Sequence, residues 1–361
     1  MSLLTNSKTL IIGLASAAIS IQAHGTVSQE QWRDLNMSIV NGHILPAYQA
    51  LSESSTALEE NTLSLCKDPQ TATLDAAKTQ FRATLSAWQG AQHITFGPIE
   101  LLMRSYSIQF WPDKKNLTSK QLNKILQAED PGSLSEKAFQ TASIAVKGLP
   151  AMERILFAEN ALELIQTNPF RCQFLHAVSD YVKLQSRNTY NEWNAFKDEF
   201  AHLESEEGLY ETAQEASIDL MKAQIEPLEV IRDLKILRPL AKSTAKPRRL
   251  ESWRSNHSLQ NMQLNIQSLH HMYSGVAGAN LKALLEEQGA IDLAQGIEEQ
   301  FVGLEKILND IPTPLHQHIK DVSVREKLLL VSEGIELLGK SFAQAMKLLD
   351  VQLGFNSRDG D

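Results

Sequence analysis

The sequence predicts an all-α fold arranged as two antiparallel helical bundles. Leu, Ala, Gln, Glu and Lys, which favour helices, dominate its 361 residues, whereas Gly and Pro number only 17 and 12. Period-two runs rich in Val, Ile, Thr and Tyr, which would predict a sheet, are nearly absent. In the last predicted helix, apolar residues step by four and three positions, which predicts one face packed against a partner helix: Val324, Leu328, Val331, Ile335, Leu338, Phe342, Ala345 and Leu349.

Residues 1–23 predict a cleavable secretory signal peptide. Lys8 precedes a short apolar run at 10–21, and Ala23 supplies a small residue at the cleavage position. The run is too short for a membrane-spanning helix, although an uncleaved N-terminal anchor is the alternative. We therefore expect a periplasmic protein with no stable membrane insertion after cleavage.

The predicted mature chain is acidic. The full chain has a formal net charge of −9, and removal of Lys8 with the signal peptide leaves 33 basic and 43 acidic residues, a charge of −10. This charge argues against nucleic acid or an anionic lipid surface as the main partner. It is compatible with cationic ligands.

Cys66 and Cys172 are the two cysteines of the chain. An even number of cysteines in an exported protein predicts a disulfide, with two buried free thiols as the alternative. The bridge would close a loop of about 106 residues, worth on the order of 4–5 kcal/mol in the chain-entropy model.

Capping and breaker signals predict the helices in order. A capping box at 28–31 opens a long helix that reaches Cys66, and a second helix runs from about Thr71 to the break at Gly97-Pro98. A short helix through 100–104 follows. The later helices are expected at 118–147 as two short ones, then at about 150–167, 169–203, 209–236 and 248–273. A boundary near 204–208 divides the chain into an N-terminal bundle, 24–205, and a C-terminal bundle, 206–361.

Familiar catalytic signatures are missing, including the H-E-x-x-H, G-x-S-x-G and C-x-x-C motifs and a Gly-rich phosphate loop. The remaining candidates are polar residues beside helix breaks. Glu153 follows Gly148 and Pro150, and we expect it in the first helical turn, where the helix dipole keeps a carboxylate ionised. It could bind a metal or pair with an arginine.

A second set of polar residues surrounds the break at Gly97. His93 precedes the break, while Glu100 and Arg104 follow it at the i, i+4 spacing of a helical ion pair. A neutral histidine near a carboxylate could hold a transition metal, whereas an ordinary hydrogen-bonded core histidine is the alternative.

A third set lies in the second half of the chain. Glu251 and Ser255 are expected on one helix face at i, i+4. His270 and His271 are adjacent, so they diverge by about 100° on a helix and only one of them can join a given site.

Together these segments resemble the imelysin-like family over about residues 28–352. Gly148 to Glu153 is similar to the family's G-x-H-x-x-E motif, with an apolar continuation at 155–157. Residues 96–100 and 110–112 resemble the helix break in the first half of the family's proteins. Residues 251–255 resemble the motif in the second half.

The resemblance implies two helical bundles that share a site near their interface. It also implies export to the periplasm or cell surface and an association with uptake of iron or other metals, with envelope iron-uptake components as partners. Some family members are classed as peptidases, with the motif's His and Glu as metal ligands. In this sequence the His position is Pro150, which has no ligand atom, so Glu153 carries over and the histidine does not. A divalent metal or iron would need His93 to replace it from a neighbouring helix.

The leading hypothesis is therefore a non-enzymatic periplasmic protein that binds a small ligand, or once bound a metal, between two bundles. We expect its site to comprise Glu100, Arg104, Glu153, Glu251 and Ser255. One alternative is an imelysin-type metallopeptidase, which needs Glu153, His93 and a third ligand to meet. The other is a scaffold or interaction protein, in which the polar residues simply dock the two bundles.

Overall fold

The computed structural model describes residues 26–201 and 208–353, and within these ranges the chain is helical with no strand. The all-α prediction is confirmed. The predicted signal peptide and most of the predicted domain boundary lie outside the described residues, so the bundle division at 205/206 stays a prediction. The described helices of the first half are α1 Gln29–Ile39, α2 Leu45–Lys67, α3 Thr71–Ala91, α4 Arg104–Ile108, α5 Leu117–Ala128, α6 Glu136–Thr141, α7 Leu149–Leu156, α8 Ala161–Thr167, α9 Pro169–Phe196 and α10 Asp198–Ala201.

In the second half, two helices run for about 20 residues or more and the others are shorter. They are α11 Ala213–Glu229, α12 Arg238–Leu240, α13 Ser258–His270, α14 Leu281–Glu287, α15 Ile291–Asn309, α16 Leu315–His318 and α17 Val322–Leu348. Three π-helical segments, named here the first, second and third, interrupt or extend the helices at Val40–Ile44, Val230–Leu237 and His271–Gly275. Short 3-10 turns occupy Gly97–Ile99, Leu101–Met103, Pro131–Leu134 and Pro247–Arg249.

The predicted first helix is present and begins at its capping box. The Ser28 hydroxyl accepts a hydrogen bond from the Gln31 N–H, and the Gln31 side chain accepts one from the Ser28 N–H. The helix continues to Lys67 through the first π segment, which joins α1 to α2. Helix α1 packs against α11, whereas α2 packs against α3 and α9, so this element contacts both halves of the chain.

A disulfide joins the two longest helices of the first half. Cys66 on α2 is bonded to Cys172 on α9, with Cα atoms 5.5 Å apart. The predicted pairing is confirmed, and it fixes the end of α2 to the start of α9, the helix against which α2 packs most extensively.

The C-terminal helix α17 carries the predicted apolar face. All eight residues of the predicted series are buried, from Val324 to Leu349. They face α15, α11 and the second π segment, and the buried apolar residues of both halves join in one continuous core. In the described part of the chain, no helix has the length and apolar character needed to cross a membrane.

Three predicted helices are wrong in detail. Residues 157–160 divide the helix expected at about 150–167 into α7 and α8. The other two carry predicted site residues. Leu102 and Met103 have φ near +55°, which breaks the segment between Glu100 and Arg104. A helix from 248 is absent, because Ser252 and Asn256 also have positive φ and the chain turns before α13. These breaks remove the helical i, i+4 relationships that were expected at both places.

Candidate functional site

A deep cleft of about 1630 Å³ lies between elements of the two halves. One wall consists of the end of α3, the segment around the Gly97 turn, α4 and α9. The other consists of α11, the second π segment and α13. Three of the predicted site residues line it: His93, Glu100 and Glu251.

A buried ion pair is part of the cleft lining. The Lys235 ammonium lies 2.9 Å from the Glu251 carboxylate, and both side chains are about 97% buried. Gln109 donates to Glu251 at 3.0 Å, and Lys235 donates to the Asn265 side-chain oxygen at 2.6 Å. Burial lowers the pKa of Lys235, while the charge of Glu251 opposes that effect. Because each charge has a partner, the pair is tolerated in the interior. Both residues belong to the second half, and the hydrogen bond from Gln109 links the pair to the first half.

The cleft is lined by a strong excess of acids. Eight acidic residues and only two basic ones, Lys222 and Lys235, line it. Two of the acids are already paired, Glu251 with Lys235 and Glu192 with Arg104, which does not line the cleft. Burial and the charge of Asp219 raise the pKa of Glu100. The acids are Glu100, Glu192, Glu199, Glu215, Asp219, Glu226, Glu229 and Glu251. Like charges concentrated in a concave surface produce a negative potential that favours a cationic ligand.

Arg104 does not pair with Glu100, contrary to the predicted spacing. Its guanidinium donates to both carboxylate oxygens of Glu192 on α9, at 2.5 and 2.8 Å, and to the carbonyl of Pro98 at 2.9 Å. Because the chain reverses at Leu102, Arg104 is turned toward α9, while Glu100 is exposed at the cleft. Arg104 thus positions a cleft acid and is not itself among the lining residues.

Apolar side chains are exposed beside the acids. Leu101, Met103 and Tyr106 line the cleft and are each more than half exposed, and Leu102 beside them is 85% exposed. Left-handed backbone at two consecutive non-glycine residues is costly and concentrates at functional sites. These four side chains within 101–106, named here the apolar rim, give the acidic cleft a surface for the non-polar part of a ligand.

Glu153 lies elsewhere, in a separate polar contact between the halves. It is absent from the cleft lining, and its Oε1 accepts hydrogen bonds from the Ser255 N–H at 3.0 Å and the Ser255 hydroxyl at 2.7 Å. Arg82 on α3 donates to the Ser255 carbonyl at 2.9 Å. Two residues of the predicted site, Glu153 and Ser255, are therefore brought together, but as a link between the halves and away from Glu100.

The prediction that Glu153 lies in the first helical turn, where the helix dipole keeps it ionised, is wrong. Helix α7 begins at Leu149, so Glu153 is its fifth residue and lies beyond the first turn. Burial raises the pKa of this carboxyl, against the opposing effects of Ser255, Arg254 and Arg154. Desolvation, rather than the helix dipole, dominates its electrostatics.

The residues around the motif do not fit a metal. Pro150 offers only its carbonyl, which accepts a hydrogen bond from Arg154 at 2.7 Å. Glu153 is engaged by Ser255, and two arginine charges, Arg154 and Arg254, act on it. Among the described residues, no group of three or more His, Cys, Asp or Glu side chains could hold a metal ion. A hydrolytic zinc site needs three such ligands, and the residues around Glu153 do not supply them.

His93 has histidine partners and no hydrogen bond with Glu153. Its Nε2 lies 2.9 Å from Nε2 of His43, and Nδ1 of His43 lies 2.9 Å from Nδ1 of His271. His270 turns the other way and contacts Glu298 and Glu305, so the expected divergence of the adjacent histidines is confirmed.

Sequence reasoning missed several residues of the cleft. Lys235, Gln109, Asn265 and Asp219 belong to no motif, since single polar residues in or beside helices resemble an ordinary solvated face. The one available signal was Pro227 inside a predicted helix, which marks an irregularity ahead of the second π segment.

Comparisons with known proteins agree with this architecture. The sequence profile described as Imelysin matches residues 44–339. A curated relative, iron-regulated protein A of Synechococcus elongatus, is 24% identical over 323 residues, which cover 85% of this chain and 84% of that protein.

Two solved structures share the fold. An imelysin-like protein from Psychrobacter arcticum superposes with a TM-score of 0.75 at 20% identity, covering 91% of this chain and 98% of that one. A protein described as an iron-regulated protein A precursor from Parabacteroides distasonis gives a TM-score of 0.70 at 18% identity, covering 89% and 97%.

Proposed function

The chain belongs to the imelysin family, and from that premise we propose that it is an exported periplasmic protein that binds a cationic ligand in the acidic cleft. In this proposal it serves an iron-related process as a binding component and carries out no hydrolysis. The observation that carries the proposal is the excess of eight acids over two lysines in a cleft of about 1630 Å³.

The apolar rim also supports a ligand, because it favours an occupant with a non-polar part beside its positive charge. Trp88 and His93 line the cleft as well, but the atoms that lack a hydrogen-bond partner among the described residues, Trp88 Nε1 and His93 Nδ1, are buried in its wall and are not placed to contact an occupant.

The iron-related part of the proposal rests on relatives. The curated relative from Synechococcus elongatus is named as iron-regulated, and the Parabacteroides distasonis structure is named as the precursor of such a protein. A precursor name is consistent with export, as is the signal-peptide pattern of residues 1–23.

The non-hydrolytic part rests on the motif. With Pro150 at the family's histidine position and Glu153 bonded to Ser255, the metallopeptidase alternative lacks a set of three ligands within residues 26–201 and 208–353. The alternative of a scaffold or interaction protein explains Glu153 well, since the contacts of Glu153 link the two halves. That alternative gives the acidic cleft no role.

A titration with hexaamminecobalt(III), followed by isothermal calorimetry, tests the proposal. This trivalent complex keeps its own ligands, so it reports binding by charge alone. We expect saturable binding that weakens with salt and that falls about tenfold in Glu100→Gln/Asp219→Asn, because both lost charges line the cleft.

The matched control is Glu326→Gln/Glu333→Gln, which removes two charges from exposed positions on α17. An affinity that falls equally in the cleft variant and in this control would show that net charge, and not the cleft, attracts the cation. That result, or no saturable binding, would contradict the proposed function.

A further inference from the structure

Three histidines form a hydrogen-bonded row between the cleft and a separate surface depression. His93 lines the cleft, His43 is buried in the middle, and His271 is exposed and lines the depression beside Asp34. Both successive nitrogen–nitrogen distances are 2.9 Å, within hydrogen-bonding range. The row therefore crosses the protein from one concave surface to another.

The backbone brings the three rings together in an unusual way. His43 lies in the first π segment and His271 in the third, and π-helical turns occur frequently at functional sites. A Cβ at Gly42 would lie 2.7 Å from the Val276 side chain, and a Cβ at Gly275 would lie 2.7 Å from the His271 ring. Gly42 thus allows the first π segment to approach the end of the third, and Gly275 leaves room for the His271 ring within its own segment.

We propose that His93, His43 and His271 form a proton path between the cleft wall and the surface depression. The central ring uses both of its nitrogens, one toward each neighbour, which is the arrangement that lets a proton enter on one side and leave on the other. This inference concerns the protein without a ligand, so it does not depend on the cationic-ligand proposal.

The transfer balances with one proton. Initially Nδ1 of His271, Nε2 of His43 and Nδ1 of His93 carry the hydrogens. Water at the surface protonates Nε2 of His271, which passes its Nδ1 proton to His43. The Nε2 proton of His43 moves to Nε2 of His93, and Nδ1 of His93, which is buried in the cleft wall, releases its proton to a water molecule that enters from the cleft.

Every ring ends in its other tautomer, with both hydrogen bonds intact and their directions reversed. The row can then carry a proton back by the same steps in reverse. Nδ1 of His93, the exit atom, is the one ring nitrogen of His93 and His43 that lacks a hydrogen-bond partner among the described residues.

Burial keeps the row neutral at rest. It lowers the pKa of His93 to about 3, and burial followed by the charges of His93 and His271 lowers that of His43 well below the ordinary value. The charged groups that share the two lined surfaces with the row are Asp34 at the depression and, in the cleft, the eight acids named above together with Lys222 and Lys235. A neutral ring retains the free lone pair that each hop requires.

Nuclear magnetic resonance of the protein with ¹⁵N-labelled histidine tests the path. In the wild type we expect nitrogen–nitrogen couplings through the hydrogen bonds from His43 to both neighbours. We also expect fast exchange of the His93 ring proton with water. His271→Phe keeps a ring of similar size without nitrogens, so exchange at His93 should slow by about tenfold.

His270→Gln is the control, because His270 is adjacent in sequence but bonds to Glu298 and Glu305. It should leave exchange at His93 unchanged. Because His271→Phe leaves the buried Nδ1 of His43 without its partner, its melting temperature should fall, but circular dichroism should show the wild-type helix content. Missing couplings in the wild type, or equal exchange rates in His271→Phe and wild type, would overturn the proton path.

Discussion

The Glu153 carboxylate accepts two hydrogen bonds from Ser255, one from its backbone N–H and one from its hydroxyl. The two residues are 102 positions apart, on opposite sides of the segment that joins the two halves of the chain. Glu153 is the residue that carries over from the family's motif, and here it connects one half of the protein to the other. The acidic cleft is a different place, lined by other residues.

Glu153→Ala should destabilise the protein by about 3 kcal/mol, because it leaves buried donors of Ser255 without their acceptor. Urea unfolding followed by circular dichroism measures the change. Glu163→Ala, on the exposed face of α8, is the matched control and should stay within about 0.5 kcal/mol of the wild type. A Glu153→Ala variant as stable as this control would show that the contact is not a structural link.

Glu153 should also add a pH dependence to stability. Burial raises its pKa above 4.5, so the native state holds this proton more tightly than the unfolded chain does. Its contribution is therefore fully present below about pH 4.5 and is lost as pH rises through the native-state pKa. Relative to Glu153→Gln, which does not titrate, the wild type should lose unfolding free energy across that window. Urea midpoints at several pH values test this, and a wild-type advantage that grows with pH would contradict it.

Gly148→Ala should cost at least about 2 kcal/mol. Gly148 has φ of +99°, and an added Cβ would lie 2.2 Å from the Ser107 carbonyl oxygen and 2.4 Å from that of Ile108. Gly339→Ala is the matched control, since Gly339 lies within α17 and an added Cβ would meet no atom within 4 Å. It should stabilise the helix by about 0.5–1 kcal/mol. Thermal melts that rank the two substitutions in the opposite order would refute this explanation of the glycine.

Lys235→Met should destabilise the protein by about 3–5 kcal/mol, because it leaves Glu251 as an uncompensated buried charge. The double variant Lys235→Met/Glu251→Gln should recover at least about 1 kcal/mol, since it removes that charge. Denaturant unfolding of the single and double variants measures both effects. A double variant that is less stable than Lys235→Met would mean that the ion pair is not the source of the loss.

The sequence predicted the parts of the fold that depend on local signals. The apolar series in α17 and the capping box at Ser28 depend on spacing and side-chain chemistry along one element, and both are present. The helix expected through Glu251 is absent, because positive φ at Ser252 and Asn256 depends on how the turn packs. No residue type at those two positions demanded it.

The candidate site was harder to predict for the same reason. In the sequence, Lys235 looks like an ordinary lysine on an amphipathic helix. Its burial depends on the second π segment, in which it lies, and on the approach of Glu251. Likewise, Glu153 meets Ser255 only once the two halves pack together. The sequence identified residues near the interface, but their division into a structural link and a cleft required the structure.

Metal analysis of the purified mature protein tests the central claim that the motif links the two halves instead of holding a metal. The protein is loaded with Zn²⁺ or Fe²⁺, passed through a desalting column and measured by inductively coupled plasma mass spectrometry, together with Glu153→Gln. We predict far less than one retained ion per chain and no difference between the two proteins, because Glu153 is bonded to Ser255 and Pro150 has no side-chain ligand. One tightly held ion per wild-type chain that is lost in Glu153→Gln would contradict the claim.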